Sequence, residues 1–338
     1  MNPELSFEEA FYLPSGRVFL LRTAEGYPIE CTEMRDVSVE GKEHAEVRVS
    51  LDPHVVWRHL RPYADKWLLT VSTQRGCVHN CNFCDVAPLP FRGNLSQAEI
   101  EAQVRFLLAA SPYVTASAKV KIGFARMGEP AHNLEAVLGA MARLPEIGAE
   151  MGRQFAWLPC FNSILPRKVM GGLSGFEVIE RVIAAKEERF GGRLHFQISA
   201  NSTDEDTRRA LFGGAEVLSL AEIISTIKGL GVTGRTVTLN FIVMKGVPVE
   251  VDRLLALGLD PAVFAVKLIP LNATEQARDH ALESVANYNN VEDLTALGAR
   301  FAAAGIPVVT DAIAKCEEAG LCCGQLAHIF IPDIARAQ

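Results

Sequence analysis

Cys77, Cys81 and Cys84 follow a C-x3-C-x2-C spacing within a segment rich in turn-forming residues. A loop this tight can wrap three thiolates around one cluster. A [4Fe–4S] cube normally takes four cysteines, so three leave one iron open to chelate a small amine-plus-carboxylate ligand. The alternatives are structural cysteines or a zinc site completed by His79 or a distant cysteine, but zinc loops favour paired C-x2-C units. The spacing therefore favours an iron–sulfur cluster.

The composition indicates an ordinary globular protein of a reducing compartment. Eight cysteines in 338 residues are too few for a disulfide scaffold, so metal binding or thiolate chemistry is their expected use. The net charge is −7, which excludes a chain-wide basic footprint for polyanions. The first residues are acidic and no long apolar stretch occurs, so we expect a cytoplasmic protein without a membrane span.

Short apolar runs alternate with stretches of helical periodicity from about residue 68 onward, which is typical of repeated βα units around a parallel sheet. We predict an α/β fold, a full or partial (βα) TIM-like barrel whose reactive groups lie at the carboxyl ends of the strands. An open, doubly wound sheet is the alternative. The predicted strands are 68–73, 119–124, 155–158, 194–200, 236–244, 263–269 and 307–310. The predicted helices are 96–110, 134–143, 175–188, 204–211, 220–229, 250–257 and 291–304.

Before residue 68 the pattern changes to β-type segments at 17–22, 28–32 and 46–51, which predict a small β-rich appendage. The expected organisation is an appendage over 1–66, a barrel core over 67–311 and a C-terminal segment over 312–338 that carries Cys323. Ser96 and Glu99 form a capping-box pattern at the start of the first predicted helix.

The cysteine triad, with the aromatic Phe83 before its last member, resembles the signature of the radical SAM superfamily. The resemblance implies a [4Fe–4S] cluster on Cys77, Cys81 and Cys84 whose open iron binds S-adenosylmethionine. In that superfamily an electron from the cluster cleaves the sulfonium to a 5′-deoxyadenosyl radical, which abstracts hydrogen from carbon. A reducing partner such as flavodoxin or ferredoxin follows from this chemistry.

Five further motifs occur in the order found in the RlmN/Cfr-type RNA adenosine C2/C8 methyltransferases, and the likeness runs from about residue 17 to 327. They are STQRGC at 72–77, FRGNLSQAEI at 91–100, MGEP at 127–130, LIPLN at 268–272 and CGQL at 323–326. Each motif is weakly specific alone, but together they are a strong match. The chain is thus similar to a radical SAM methyltransferase of this family.

The resemblance also implies contacts to S-adenosylmethionine. Gly128 and Glu129 follow a predicted strand, where the carboxylate could accept from the ammonium of the cofactor. Ser199, Asn201 and Asn272 occupy further contact positions, with Asn201 replacing a family histidine. Cys160 falls where the family has a ribose-binding serine; a buried structural thiol is the alternative.

Cys323 stands at the position of the family's methyl carrier, which one S-adenosylmethionine alkylates before a second generates the radical. Glu30 matches the proposed proton acceptor, although a glutamate on an exposed strand face would look the same. The alternative for Cys323 is a small core residue, a hydrogen donor or a structural thiol.

Two departures bear on the substrate. Thr70 stands where the family has a cysteine that resolves the covalent adduct, so Cys322, Cys316 or Cys160 substitutes or no adduct forms. The acidic charge and the expected lack of the family's N-terminal accessory domain weaken an RNA substrate. We therefore predict methylation of an sp2 carbon of RNA adenine or of a smaller heteroaromatic molecule. The competing hypotheses are a non-methylating radical enzyme acting on a metabolite or peptide, and a non-catalytic cluster protein.

Overall fold

The computed structural model describes residues 4–13, 15–35, 62–286, 292–310 and 323–330. Within them ten strands form one sheet, and each strand pairs with its neighbours in chain order. The strands are β1 (Leu5–Leu13), β2 (Gly16–Thr23), β3 (Pro28–Arg35), β4 (Trp67–Val71), β5 (Val120–Phe124), β6 (Trp157–Ser163), β7 (His195–Ser199), β8 (Val237–Val243), β9 (Phe264–Pro270) and β10 (Val308–Thr310).

Strands β4 to β10 are parallel, and helices occur in the connections between them. The helices within the described residues are α1 (Gln97–Ala110), α2 (Leu134–Ala142), α3 (Leu144–Glu150), α4 (Gly175–Glu188), α5 (Glu205–Leu211), α6 (Leu220–Gly229), α7 (Val251–Ala256), α8 (Glu275–Asp279), α9 (Glu292–Ala303) and α10 (Gln325–Phe330), with a 3-10 turn at Pro130–Asn133. The capping box of Ser96 and Glu99 at the start of α1 is confirmed.

The sequential order of the parallel strands decides between the two predicted architectures. A doubly wound sheet reverses its strand order at a switch point, whereas here the order runs without reversal from β4 to β10. The described strands do not close, because β1 and β10 lie at opposite edges. The fold is therefore an α/β partial barrel, which confirms the partial form of the predicted TIM-like fold.

Alternation along the strands separates the helix-facing side of the sheet from the concave side, which we call the lumen. In β5, Val120, Ile122 and Phe124 are fully buried in the apolar core, as expected for side chains that pack under the helices. Lys121 and Gly123 have the opposite parity, and Lys121 lines a cavity. The lumen thus receives every second residue of each strand.

The N-terminal strands extend the same sheet. β1 to β3 are antiparallel, and β3 pairs with β4 from Thr32↔Thr70 to Arg35↔Trp67. The predicted strands at 17–22 and 28–32 are confirmed, and the one at 46–51 lies outside the described residues. β1 was missed because Glu8 and Glu9 interrupt its apolar pattern.

Strand boundaries differ most at β6, which runs from Trp157 to Ser163 instead of over 155–158. Pro159 lies within the strand opposite Ile122 of β5, and the residues after it continue the pairing with β7. No helix within the described part of the chain is long and apolar enough to cross a bilayer.

Candidate active site

The three-cysteine loop lies after β4, at the carboxyl end of the parallel strands, and is held by two helices. Asn82 donates its backbone N–H to Leu211 O at 2.9 Å, at the end of α5. Thr274, which caps α8, donates its hydroxyl to Phe83 O at 3.0 Å. Asp85 accepts from the first backbone N–H groups of α8. The loop is therefore fixed from both sides by elements distant in sequence.

The three cysteines lie close together and are only partly exposed. Burial raises the pKa of Cys77 to about 12, and it raises the pKa of Cys84 and of Cys81 further. The neighbouring thiolates add to the shift at Cys81 and Cys84 because like charges oppose ionisation. A bound metal supplies the positive charge that stabilises such thiolates, so the donor set fits the predicted cluster.

His79, considered as a zinc ligand, faces another histidine. Its Nε2 lies 2.9 Å from Nε2 of His132, whose Nδ1 accepts the backbone N–H of Met170. Among the described residues no three His, Cys, Asp or Glu side chains converge on a point that one metal ion could occupy. Zinc requires such convergence, whereas each thiolate of a cube binds a different iron, so the thiols of the loop need not meet at one point.

Cys323 is brought against the cysteine loop by close backbone packing. A Cβ on Gly324, where φ is +87°, would lie 2.8 Å from Val86 N and 3.0 Å from the carbonyl carbon of Asp85. The Cys323 thiol contributes to the raised pKa of Cys84, and its residue lines the lumen cavity. The structure thus brings together two sequence motifs that are more than 200 residues apart.

Glu30 is fully buried, and this rules out the exposed strand face considered as an alternative. Its Oε2 accepts from Arg126 Nε and Nη2, both at 2.7 Å, and from Gly324 N at 3.1 Å. Its Oε1 accepts from Ala327 N at 2.9 Å, in α10. The carboxylate therefore ties β3 to the segment that carries Cys323. A role as proton acceptor stays a prediction.

Arg126 completes this network and was missed in the sequence. Its side chain is 2% exposed, and Nη1 donates to Cys323 Sγ at 3.7 Å. A guanidinium beside sulfur favours the nucleophilic thiolate form. The only signal in the sequence was its place one residue before the MGEP motif.

Glu129 is also buried but has no cationic partner among the described residues. Its carboxylate accepts the backbone N–H groups of Ala131 and Ile164, each at 3.0 Å. Burial nevertheless raises the pKa of Glu129 to about 7. Gly128, with φ of +98°, permits a close approach to Gln74, since a Cβ there would lie 2.5 Å from Gln74 Cβ. The site would therefore favour a cationic group beside this carboxylate.

Amide side chains lie in the middle of β7 and β8 and directly after β7. Asn201, with φ of +59°, accepts from Ile242 N through Oδ1, while its buried Nδ2 has no hydrogen-bond partner within the described residues. Gln197 Oε1 and Asn240 Oδ1 are likewise buried without partners there. Buried polar atoms left unsatisfied commonly indicate a missing ligand, so this group fits a polar cofactor such as S-adenosylmethionine.

Of the other predicted contacts, Ser199 is the last residue of β7 and Asn272 lines the lumen with Cys323. Gln197 and Asn240 were missed, although polar residues at alternate positions of an apolar strand could have indicated them.

Cys160 lies in the middle of β6, deeper than the strand end where it was expected. Its Sγ is 3.1 Å from Asn162 Oδ1 and 3.4 Å from His195 Nδ1, and His195 Nε2 is 2.9 Å from Thr238 Oγ1. Burial raises the pKa of Cys160 and lowers that of His195. The thiol is 1% exposed, and its predicted contact with the ribose stays a prediction.

Thr70 faces the same cavity as Cys323, and its hydroxyl is 2.6 Å from that of Thr32. Thr70, at the position of the family's resolving cysteine, therefore forms a hydrogen bond with Thr32 of β3. Cys316 and Cys322, two of the substitutes considered, lie outside the described residues.

The fold has a solved counterpart. The crystal structure of a radical SAM methyltransferase from Sphaerobacter thermophilus superposes with a TM-score of 0.69, over 95% of this chain and 81% of the other, at 22% identity. At this identity the likeness shows that the two chains share a fold.

The sequence relatives are more specific. A probable dual-specificity RNA methyltransferase RlmN of Deinococcus deserti is 29% identical over 269 residues, which cover 79% of this chain and 71% of the relative. The corresponding protein of Thermus thermophilus is also 29% identical over 269 residues, which cover 79% of this chain and 69% of that protein. No family model matches the chain. The chain is an enzyme of the radical SAM methyltransferase type, with RlmN proteins among its homologues.

Proposed function

We propose that this enzyme methylates an sp2 carbon of a heteroaromatic substrate and carries the methyl group on Cys323. The observation that carries the proposal is the position of Cys323, between the cysteine loop and Arg126, on the wall of the lumen. A thiol of this kind has a cation on one side and the proposed cluster site on the other. It is accessible to a molecule inside the barrel.

Cys77, Cys81 and Cys84 would hold the [4Fe–4S] cluster, and Phe83 lies between the last two. Glu129 would accept from the ammonium of S-adenosylmethionine, and the amide group of Gln197, Asn201 and Asn240 would satisfy other polar atoms. When bound, the cluster and S-adenosylmethionine would supply the methyl group and the 5′-deoxyadenosyl radical. The chain's own part is to bind them, to hold Cys323 and to keep water out of the site.

Glu30 and Arg126 position the methyl carrier. The carboxylate fixes the backbone N–H groups of Gly324 and Ala327, and the guanidinium reaches the sulfur. Methyl transfer to Cys323 forms a carbon–sulfur bond while the sulfonium carbon–sulfur bond breaks and S-adenosylhomocysteine leaves. The sulfur must attack as thiolate, which is the form that Arg126 favours.

A substrate for this reaction would be RNA adenine or a smaller heteroaromatic molecule, and a flavodoxin or ferredoxin would supply electrons. The curated relatives are named as RNA methyltransferases. A cytoplasmic location stays a prediction. The second candidate function, hydrogen abstraction without methylation, is favoured by Thr70, because a hydroxyl cannot exchange with a thioether adduct.

The test is to incubate the full-length, anaerobically reconstituted enzyme with methyl-deuterated S-adenosylmethionine and dithionite, and to map the peptides by mass spectrometry. We expect the labelled methyl group on the Cys323 peptide, together with S-adenosylhomocysteine. A Cys31→Ala variant should keep the label, since Cys31 is buried on the helix-facing side of β3. Release of 5′-deoxyadenosine with no label on Cys323 would replace the proposal by the non-methylating alternative.

The cluster assignment has its own measurement. Cys84→Ala should lose iron and acid-labile sulfide, because two thiolates cannot hold the cube. Cys160→Ala is the control, since it removes a buried thiol that lies outside the cysteine loop. Normal iron content in Cys84→Ala would refute the ligand set.

A further inference from the structure

The lumen contains a cavity of about 770 Å³ that extends beyond the proposed reaction site. At the carboxyl end of the strands it is lined by Cys323 and Asn272. At the amino end it is lined by residues that precede the strands, including Lys66 before β4 and Arg235 before β8. The volume lies in the range of pockets for small ligands. The cavity therefore continues from the methyl carrier toward the opposite end of the barrel.

The charge of this cavity is opposite to that of the chain. The chain carries a net charge of −7, but no aspartate or glutamate is among the described residues that line the cavity. The cations that line it are Lys66, Lys119, Lys121, Arg126, Arg235 and Lys267. Of these Arg126 is paired with Glu30. Cations gathered within one concave wall focus a positive potential onto its interior.

Two of these cations have no anionic partner in the described structure. Neither Lys121 nor Arg235 forms an ion pair or a side-chain hydrogen bond within the residues described. Burial, and then the charges of Lys267, Lys66 and Arg235, lower the pKa of Lys121 to about 8. Arg235 is solvent-exposed at the amino end of the cavity, but Lys121 is largely buried, and an unpaired cation in such a position is costly. Such a charge is retained where a ligand supplies the anion.

We infer that the amino end of the lumen binds the phosphate of a small, mononucleotide-sized substrate, whose heteroaromatic ring then faces Cys323. Lys121 and Arg235 are the residues that recognise the anion. The position of the ring at Cys323 rests on the proposed function, whereas the anion site follows from the cations that line the lumen.

Three features favour a small phosphate ester over folded RNA. Lys121 and Lys267 lie on strands and face the lumen, where a small molecule that enters the cavity can reach them. The volume accommodates one nucleotide but no helix. Lys267, Lys66 and Arg235 are close enough to Lys121 to lower its pKa, and several neighbouring cations suit a dianionic phosphate better than a single carboxylate. Thr238 and His195 add hydrogen-bonding groups on the same wall.

The experiment is calorimetric titration of the full-length protein with five probes: adenosine monophosphate, adenosine, inorganic phosphate, nicotinate and a single-stranded RNA tetranucleotide. The monophosphate and the nucleoside differ only in the anion, and nicotinate tests a carboxylate in its place. The variants are Lys121→Gln and Arg235→Gln. Lys168→Gln is the matched control because it removes the same charge from an exposed loop outside the cavity.

We expect adenosine monophosphate to bind at least tenfold more tightly than adenosine, and inorganic phosphate to compete with it. Each lumen variant should weaken the monophosphate by roughly 10- to 100-fold, the usual effect of removing a charged hydrogen bond, and leave adenosine unchanged. Lys168→Gln should bind as the wild type. If one lumen variant fails to fold, the other still decides the result.

Equal affinity for the monophosphate and the nucleoside, or no binding of any phosphate probe, would overturn the inference. Tight binding of nicotinate alone would replace phosphate by carboxylate, and binding of the tetranucleotide alone would favour RNA. Methylation of Cys323 is followed separately on the wild type without substrate. A missing methyl group with an intact Lys121-dependent anion site refutes the proposed function alone, and the reverse result refutes the anion site alone.

Discussion

Glu30 and Glu129 are both buried carboxylates of the same lumen, but their surroundings differ. Glu30 accepts two hydrogen bonds from Arg126 and two from backbone N–H groups of the Cys323 segment. Glu129 accepts only neutral donors, and burial raises its pKa to about 7. The first carboxylate has its counter-charge within the protein, whereas the second lacks one.

The difference separates groups that build the site from groups that await a ligand. A buried charge with a partner of opposite sign stabilises the arrangement of the chain. Removing one of the two charges leaves the other buried and uncompensated in a medium of low dielectric constant. A buried charge without a partner is compensated only when a ligand of opposite sign binds. Lys121 belongs with Glu129 in this respect, with the opposite sign.

The largest expected effect follows removal of the paired carboxylate. Glu30→Ala leaves Arg126 buried without its partner, so the free energy of unfolding should fall by about 3–5 kcal/mol. Chemical denaturation measures this loss. Labelling of Cys323 should also fall, because α10 and Gly324 lose their acceptor.

Glu33→Gln is the matched control on the same strand. Glu33 is also buried and paired, with Arg17, but it belongs to a cluster away from Cys323. This variant should lose stability and keep Cys323 labelling. Loss of labelling in both variants would show that Glu30 has no specific positioning role.

The second effect concerns the unpaired carboxylate. Glu129→Gln should weaken binding of S-adenosylmethionine to the reconstituted enzyme by about 10- to 100-fold, as expected for a charged hydrogen bond, while stability changes less than in Glu30→Ala. Equilibrium titration measures the affinity. Glu135→Gln removes an exposed carboxylate six residues further on and should not change it. An unaltered affinity in Glu129→Gln would leave this carboxylate a purely structural cap.

A smaller effect is expected from the backbone contact that places Cys323. Gly324→Ala introduces a Cβ into Val86 and Asp85 at a positive φ, which should cost about 1–3 kcal/mol and reduce Cys323 labelling. Gly305→Ala has a similar φ of +74° but no neighbour within 4 Å of the new Cβ. Both variants carry the backbone strain of a positive φ, but only Gly324→Ala disturbs the contact with Val86 and Asp85. Normal labelling in Gly305→Ala together with a loss in Gly324→Ala would therefore assign the effect to this contact.

The smallest effect is a dependence of stability on pH. The folded pKa of Lys121, about 8, lies below its ordinary value of 10.5, so between these values the unfolded chain binds more protons. Stability should therefore rise with pH in this window, by at most about 1.4 kcal/mol per pH unit for one group. Cys160 faces Lys121 and favours its charged form, while Lys66, Arg235 and Lys267 oppose it.

Denaturation curves of the wild type and Lys121→Gln between pH 8 and 10.5 isolate this contribution. The difference in stability between the two proteins should change with pH only if Lys121 titrates there. A constant difference would mean that an anion from the chain already compensates the lysine.

Local pattern was sufficient for the repeating elements and for the cysteine loop. The strands β4, β5, β7, β8, β9 and β10 were predicted to within two residues, because alternation of apolar runs with helical periodicity is carried by neighbouring residues. The end of β6 and the placement of Cys160 were missed together, because the predicted strand stopped at residue 158. β1 was missed because its charged residues conceal an edge strand.

What the sequence determined by itself was the chemistry available: the cysteine spacing, the motif order and the βα repeat are contained in short stretches of chain. The tertiary structure alone decided how that chemistry is arranged. Glu30 meets Arg126 across 96 positions and Gly324 across 294, and no periodicity links such residues. The basic lumen arises in the same way, because the sheet brings together cations that lie in or beside different strands, whereas the composition gives only the total number of charges.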